Sequence, residues 1–521
     1  MYDCLNRCGT AVLEAIGGNE APQHESSYQR QLREAQERVS ERERKRVVRF
    51  AGILTGCALV ALALLGFFVP QFFHWIAVLV RYIWLPGLLI GAFAAGAGWL
   101  SYKRDSPGIA IAGGTVFVIA CIVTPVLSNY LTSVHMREAS QVEQAEADGL
   151  SFDTRPPYDV AVATSNRSLG DTNGESTGTV KSNPAQGTYS VSIVRRGIGQ
   201  GYESVQVMDL PEFGSPKSGD VTFCDYDENA SLRLGGMLPG NSLNRAIALK
   251  TPLDVHFNSG DAIATCEGEG QPMLYVPLKR PAGVFGVYEK PAGVAIYNGK
   301  TGELSIEDEL KDVDVPIYPQ SIVADQRDSL KSSNGFTDWL FGRAGYETTD
   351  KGDDPNSSNA TEFALKAKDG GVSFYTPLTP RGSSSSIVGL SSVEATSVKS
   401  SELNPLVVAR YETPRKATST VAADIISGTL SGYKASGLTV FEVVPGPDGN
   451  WVASIGKNQS ILYRASIDPE GGITLLEGEK PMDEGEEKLE LTTKPLEDMS
   501  PEELTELGNE ILEELAARGE G

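Results

Sequence analysis

The sequence predicts a membrane protein of mixed architecture: three N-terminal transmembrane α-helices, a large extracytoplasmic β-rich α+β region of antiparallel sheets, and a C-terminal amphipathic acidic helix. Three observations carry this. The longest apolar runs of the 521-residue chain crowd between Phe50 and Leu127, and short alternating segments separated by Gly, Pro and Asn turns fill much of 187–480. From Glu477 onward, 16 acidic residues face only 4 basic ones. The chain is too long for one hydrophobic core, so several modules are expected. Its net charge of −23 argues against a nucleic-acid partner, because phosphate binding needs a basic surface.

Phe50–Val69 is a 20-residue run without a charge, enough to cross a hydrocarbon core of about 30 Å as a helix. The 49 residues before it are far longer than a signal-peptide n-region, which favours a retained span. Ile83–Ser101 and Gly108–Leu127 are the second and third spans. Between the first two, Phe72–Val80 is too short to cross. With Phe72, Phe73, Trp75, Tyr82 and Trp84 around it, this stretch is expected to be an interfacial turn in the aromatic belt. Arg30, Arg33, Arg38, Arg42, Arg44, Lys45, Arg46 and Arg49 precede the first span, and Lys103 and Arg104 separate the second from the third. The positive-inside rule therefore puts the N-terminus in the cytoplasm and everything after residue 130 outside, in a multi-pass protein of the cell membrane.

Gly87, Gly91 and Ala95 recur every four residues on the second span and allow a neighbouring helix to approach, with the other spans of the chain as the favoured partners. The cytoplasmic arm, residues 1–49, holds a helix over Glu25–Val48 in which acidic residues dilute the basic face. Cys4 and Cys8 are too few for a zinc site and are expected to be free thiols.

Beyond the anchor of residues 50–130, residues 131–186 have the composition of a polar stalk. A β-rich domain is expected over 187–315 and an α+β domain over 316–480. Tyr189–Arg195 and Val205–Met208 form a hairpin across a Gly-rich turn. Further strands are expected at Val221–Cys224, Met273–Pro277, Gly283–Tyr288, Gly293–Tyr297 and Glu303–Ile306. Helices are expected at Gln320–Ser332 and Thr418–Tyr433, and the second leads into strands Leu438–Val444, Trp451–Ile455 and Ser460–Ser466. Cys224 and Cys266 are the only cysteines after residue 130, and in an oxidising compartment they pair as a disulfide.

The catalytic inventory is thin. Ser431-Gly-Tyr-Lys434 and Lys300-Thr-Gly302 occur in the reverse of the order that penicillin-binding acyl transfer requires. His135 and His256 are the only outer histidines, and no Gly-x-Ser-x-Gly elbow is present. Asp225, Asp227 and Asn229 begin like a calcium loop, but Ala230 and Gly236 stand where the glycine and the bidentate glutamate belong. No cofactor, metal or small-molecule substrate is assigned.

In the acidic tail, residues 481–521, Ser500-Pro501-Glu502-Glu503 opens a helix that sets Leu504, Leu507, Ile511 and Leu515 on one face for a partner. The expected function is that of a membrane-anchored, non-catalytic binding or scaffold protein of the envelope, with the bilayer and a protein partner or second copy as its contacts. An envelope hydrolase or transferase working through a carboxylate pair is the alternative, and a transmembrane sensor the third.

Overall fold

The computed structural model describes residues 50–478 apart from internal segments, the longest being 211–219, 349–362 and 430–437. The arm, the tail with Leu504, Leu507, Ile511 and Leu515, and Ser431–Lys434 lie outside the described residues. The chain forms two units, residues 1–72 and 73–521. In the first, an apolar helix covers Thr55–Phe68, fewer residues than the roughly 20 a span needs. A full-length first span over Phe50–Val69 is therefore not supported.

The second unit enters with two 33-residue helices, α1 (Gln71–Lys103) and α2 (Pro107–Ala139). Both are long and apolar enough to cross a membrane, over Gln71–Gly96 and Gly114–Ala139 by length and composition. Phe72–Val80 is helix rather than turn: Pro70 stands just ahead of the first turn, where a missing N–H costs nothing. Residues 131–139, expected in a stalk, continue α2. Met136 explains why, since it lies 2 % exposed in a core shared with Ile322, Val323, Val294 and Val408. The chain then forms strand Glu143–Glu146, which pairs in parallel with 407–410.

That strand is the edge of a six-stranded sheet running 143–146, 407–416, 386–394, 372–380 and 346–348, with 363–366 also on 372–380. Gly389 sits at a register shift opposite Arg410, and the Ala409 carbonyl oxygen would stand 2.2 Å from any Cβ there. A four-stranded antiparallel meander, Thr439–Pro445, Trp451–Lys457, Ser460–Ile467 and Ile473–Gly478, packs on this sheet. Trp451, Phe152, Leu390 and Ile455 fill the space between them.

Two further sheets complete the body. Thr188–Arg195 and Tyr202–Asp209 form the expected hairpin and continue to Asp220–Asp225, with short strands 174–176 and 181–183 on the other edge. Ile263–Glu267, Gln271–Ala282, Tyr288–Asn298 and Leu304–Glu307 form a second meander. Gly283–Tyr288, expected as a strand, is mostly the tip joining two of these strands. Gly283 and Gly286 adopt φ of +86° and +74°, which favour a turn. The tip is also pinned, since a Cβ on Gly286 would meet the Leu131 backbone at 2.6 Å. Leu243, Ile247, Val205 and Val276 pack between these two sheets. One core joins Tyr275 and Val294 to Ile317, Leu378 and Val408, across the 312–319 stretch where a domain boundary was expected.

The expected helices are present at Gln320–Ser329, extended by a 3-10 turn to Ser332, and at Thr418–Asp424, which passes into a π-turn at Ile425–Thr429. Cys224 and Cys266 form a disulfide that links the two sheets. It closes a loop with a sequence separation of 42, for which chain entropy gives about 4 kcal/mol. Replacing both cysteines by alanine should lower the unfolding midpoint of the detergent-solubilised protein, and reductant should reproduce the loss in the wild type alone.

Candidate functional site

The upper third of α2 is surrounded by the body, and beside it opens a pocket of about 670 Å³. α2 contributes Arg137 and Glu138, the chain after Gly342 contributes Arg343 and Tyr346, and the strand paired with 143–146 contributes Arg410. Gly345 lets the chain pass close by, because a Cβ there would stand 2.7 Å from the Lys331 amide nitrogen.

Each guanidinium is held without a carboxylate. Arg137 donates to the Ser332 carbonyl, Arg410 donates to the Tyr346 hydroxyl at 2.7 Å, and Arg343 lies 5.2 Å over the Phe341 ring. Among the described residues, no carboxylate oxygen lies within 4.0 Å of their nitrogens. Three fixed positive charges against Glu138 stand out in a chain of net charge −23. Guanidinium groups offer forked N–H donors that match phosphate or carboxylate oxygens, so this lining is suited to an anion. It holds no serine–histidine or cysteine–histidine pair.

A second cluster ties α1 to the body. The Tyr82 hydroxyl donates to Glu289 at 3.3 Å, His256 Nε2 lies 2.9 Å from the same carboxylate, and Lys279 Nζ lies 2.5 Å from its other oxygen. One helical stretch earlier, His74 Nδ1 meets the Val255 carbonyl oxygen at 2.9 Å. Burial alone would raise the Glu289 carboxyl, but His256 and Lys279 outweigh it and hold the group down at about 2. Asp325 keeps an edge open to solvent but is crowded by protein. That crowding, and then the charge of Glu289, push its pKa up to about 6.

A third cluster is structural. Arg155 donates to Tyr189 at 2.8 Å and to Glu442 at 2.9 Å, and its guanidinium lies over Phe363, so three sheets meet on one buried cation. Burial raises Glu442 to about 7 against the pull of Arg155. A cleft of about 570 Å³ lies beside this joint.

Of the residues singled out from sequence, Cys224 and Cys266 meet. Gly87, Gly91 and Ala95 lie on α1, but no described neighbour comes within 4 Å of a Cβ built on Gly87 or Gly91. Asp227 accepts from the Asn229 amide at 2.9 Å and caps a 3-10 turn, while Asn298 Oδ1 accepts from the Lys300 and Thr301 amides and makes Lys300-Thr-Gly a turn. Sequence reasoning missed Arg137, Arg343, Arg410 and Glu289, which share no local motif. The one visible signal was an arginine just above an apolar run. Comparison with known families, curated proteins and solved structures finds no match to this chain.

Glu289 has a pKa below its unfolded value of about 4.5, so it contributes stability above that pH and loses it as pH falls towards 2. Glu289→Gln should cost about 3 kcal/mol at pH 7 by stranding Lys279. It should also flatten the fall of the unfolding midpoint between pH 4.5 and 2 that the wild type displays, as followed by intrinsic fluorescence.

Proposed function

We propose that the chain is a membrane-anchored, non-catalytic binding protein of the cell envelope whose extracytoplasmic body takes an anionic group of an envelope component into the Arg137–Arg343–Arg410 pocket. The observation that carries this reading is the trio of arginines that, among the described residues, have no carboxylate partner, beside a helix that carries an apolar, membrane-length stretch. Arg343 and Arg410 are exposed, so their forked N–H donors are open to an anion arriving from solvent.

Where the body grips the helices supports a membrane placement. Large apolar side chains of α2 are exposed up to Leu127, while Ser133, Met136 and Ser140 above it are buried by protein. On α1 the lowest contact described here with the body is Tyr82. The lipid-facing lengths are then 83–103 and 107–127, shifted from the stretches that composition alone marks. Each has 21 residues, about 31 Å at 1.5 Å per residue, which matches a hydrocarbon core. Lys103 and Arg104 at the far end favour that end as cytoplasmic, and the Cys224–Cys266 disulfide suits a body in an oxidising compartment. The first span over Phe50–Val69, the cytoplasmic N-terminus, and capture of a protein partner by Leu504, Leu507, Ile511 and Leu515 belong to the same proposal.

One observation favours the catalytic alternative: Asp325 near 6 beside Glu289 near 2 is the split that an acid–base carboxylate pair requires. Against it, both oxygens of Glu289 are already engaged. Turnover of an envelope substrate by the purified protein, abolished by Asp325→Asn, would replace the binding reading.

The test uses the full chain in lipid nanodiscs with inorganic phosphate as probe. A ligand that binds only the folded state raises the unfolding midpoint in proportion to the logarithm of its concentration. Phosphate should raise the midpoint above that in chloride of equal ionic strength, and the Arg137→Gln, Arg343→Gln, Arg410→Gln triple variant should lose the increment. An increment that survives in the variant would remove the pocket from the proposal.

A further inference from the structure

We infer that the short helix Phe336–Leu340 with Phe341, together with the hairpin tip around Val284, forms a wedge that seats the body in the outer-leaflet interface of the membrane. Elsewhere on the body exposed large apolar side chains stand singly or, at Leu249 and Leu253, as a pair. Here three of them fall within six residues. Phe336 is 41 %, Leu340 48 % and Phe341 64 % exposed, although they belong to a well-formed element.

The element is built to present them. Gly335 at φ +91° opens the helix and Gly342 at φ +63° closes it, with the Phe341 amide bonded to the Thr337 carbonyl and the Gly342 amide to that of Trp339. Phe336 and Leu340, four apart, share a side of the turn.

Its height relative to the membrane helices identifies the occupant. Tyr130 of α2 packs edge-on against Phe336 at 5.1 Å and Trp339 at 5.4 Å between ring centroids. Tyr130 lies three residues above Leu127, about 4.5 Å along the helix axis, at the depth where aromatic belts meet the headgroups. The hairpin tip converges on the same turn of α2: Gly286 abuts Leu131 and Thr132, Thr132 donates to the Val287 carbonyl, and Val284 is left 56 % exposed. Arg343, stacked over Phe341, is placed to meet phosphate oxygens just above, where a guanidinium keeps its charge in water while its stem stays apolar. The surface is thus continuous with the lipid-facing part of α2, and its fitting occupant is lipid of the chain's own membrane.

This inference rests on the reading that α1 and α2 span the bilayer, and the experiment separates the two. In a full-length background with Cys4, Cys8, Cys57 and Cys121 changed to serine and the disulfide kept, single cysteines replace Leu340, Phe341, Val284, Val118 or Leu476 and carry an environment-sensitive fluorophore. The proteins are reconstituted in vesicles of phosphatidylcholine and phosphatidylglycerol, with or without a doxyl quencher near the head of the acyl chain or, for position 118, which lies about 14 Å below Leu127 along the helix, near its tail. Emission at 340, 341 and 284 should shift to the blue and be lost to the quencher, as at 118 within the apolar stretch of α2, while 476 on the distal meander stays unquenched. Quenching at 118 without quenching at 340 and 341 overturns the wedge and leaves the span intact. A blue shift at 340 and 341 without quenching also overturns it, because protein, such as a second copy, then covers the surface. No quenching at 118 removes the spanning reading and the wedge with it.

Discussion

The structure depends on the continuity of α2. One helix carries an exposed apolar length and, without a break, inserts Met136 into a core made by the 320–329 helix, the second meander and the six-stranded sheet. It then leads through a short turn into a strand on that sheet. A flexible stalk would let the body tumble over the bilayer. A helix buried at one end couples the orientation of the body to that of its exposed apolar length, because tilting one would open the core of the other. The Glu289 clasp on α1 acts in parallel, so the body is gripped at two points.

Charge is distributed by role. Where cationic side chains join elements, each faces a carboxyl group: Lys279 meets Glu289, and Arg155 meets Glu442. Burying such charges is tolerable only when each is paired. The arginines beside α2 break this pattern, since their partners are a carbonyl, a phenol and a ring. These neutral contacts orient guanidinium groups without discharging them, so the field into the pocket remains. A pocket of that kind, next to an apolar helix of membrane-spanning length, is the basis of the proposed anion-binding role.

Much of the secondary structure was legible because it obeys local rules. Tyr189–Arg195 alternates and is followed by glycines that turn, and Thr418 onward has helical spacing that gives way to β-branched and aromatic strands around Trp451. Where the expectations failed, a tertiary partner had overridden composition. Residues 131–139 are polar enough to pass for a stalk, but Met136 and Ala139 among them pack into the core of the body. Gly283–Tyr288 carries valine and phenylalanine like a strand, yet its glycines and the nearby backbone of α2 make it a tip.

By itself, the sequence determined the apolar lengths, the α+β character with antiparallel sheets, and the pairing of its two outer cysteines. These follow from local periodicity, turn chemistry and the absence of competing thiols. Only the tertiary structure decided that strand 143–146 joins 407–410 in parallel, that one core runs through 312–319, and that Arg137, Arg343 and Arg410 line one pocket. Such contacts join residues far apart in the chain. No local rule encodes them, because their energy appears only after the intervening sheets have closed around them.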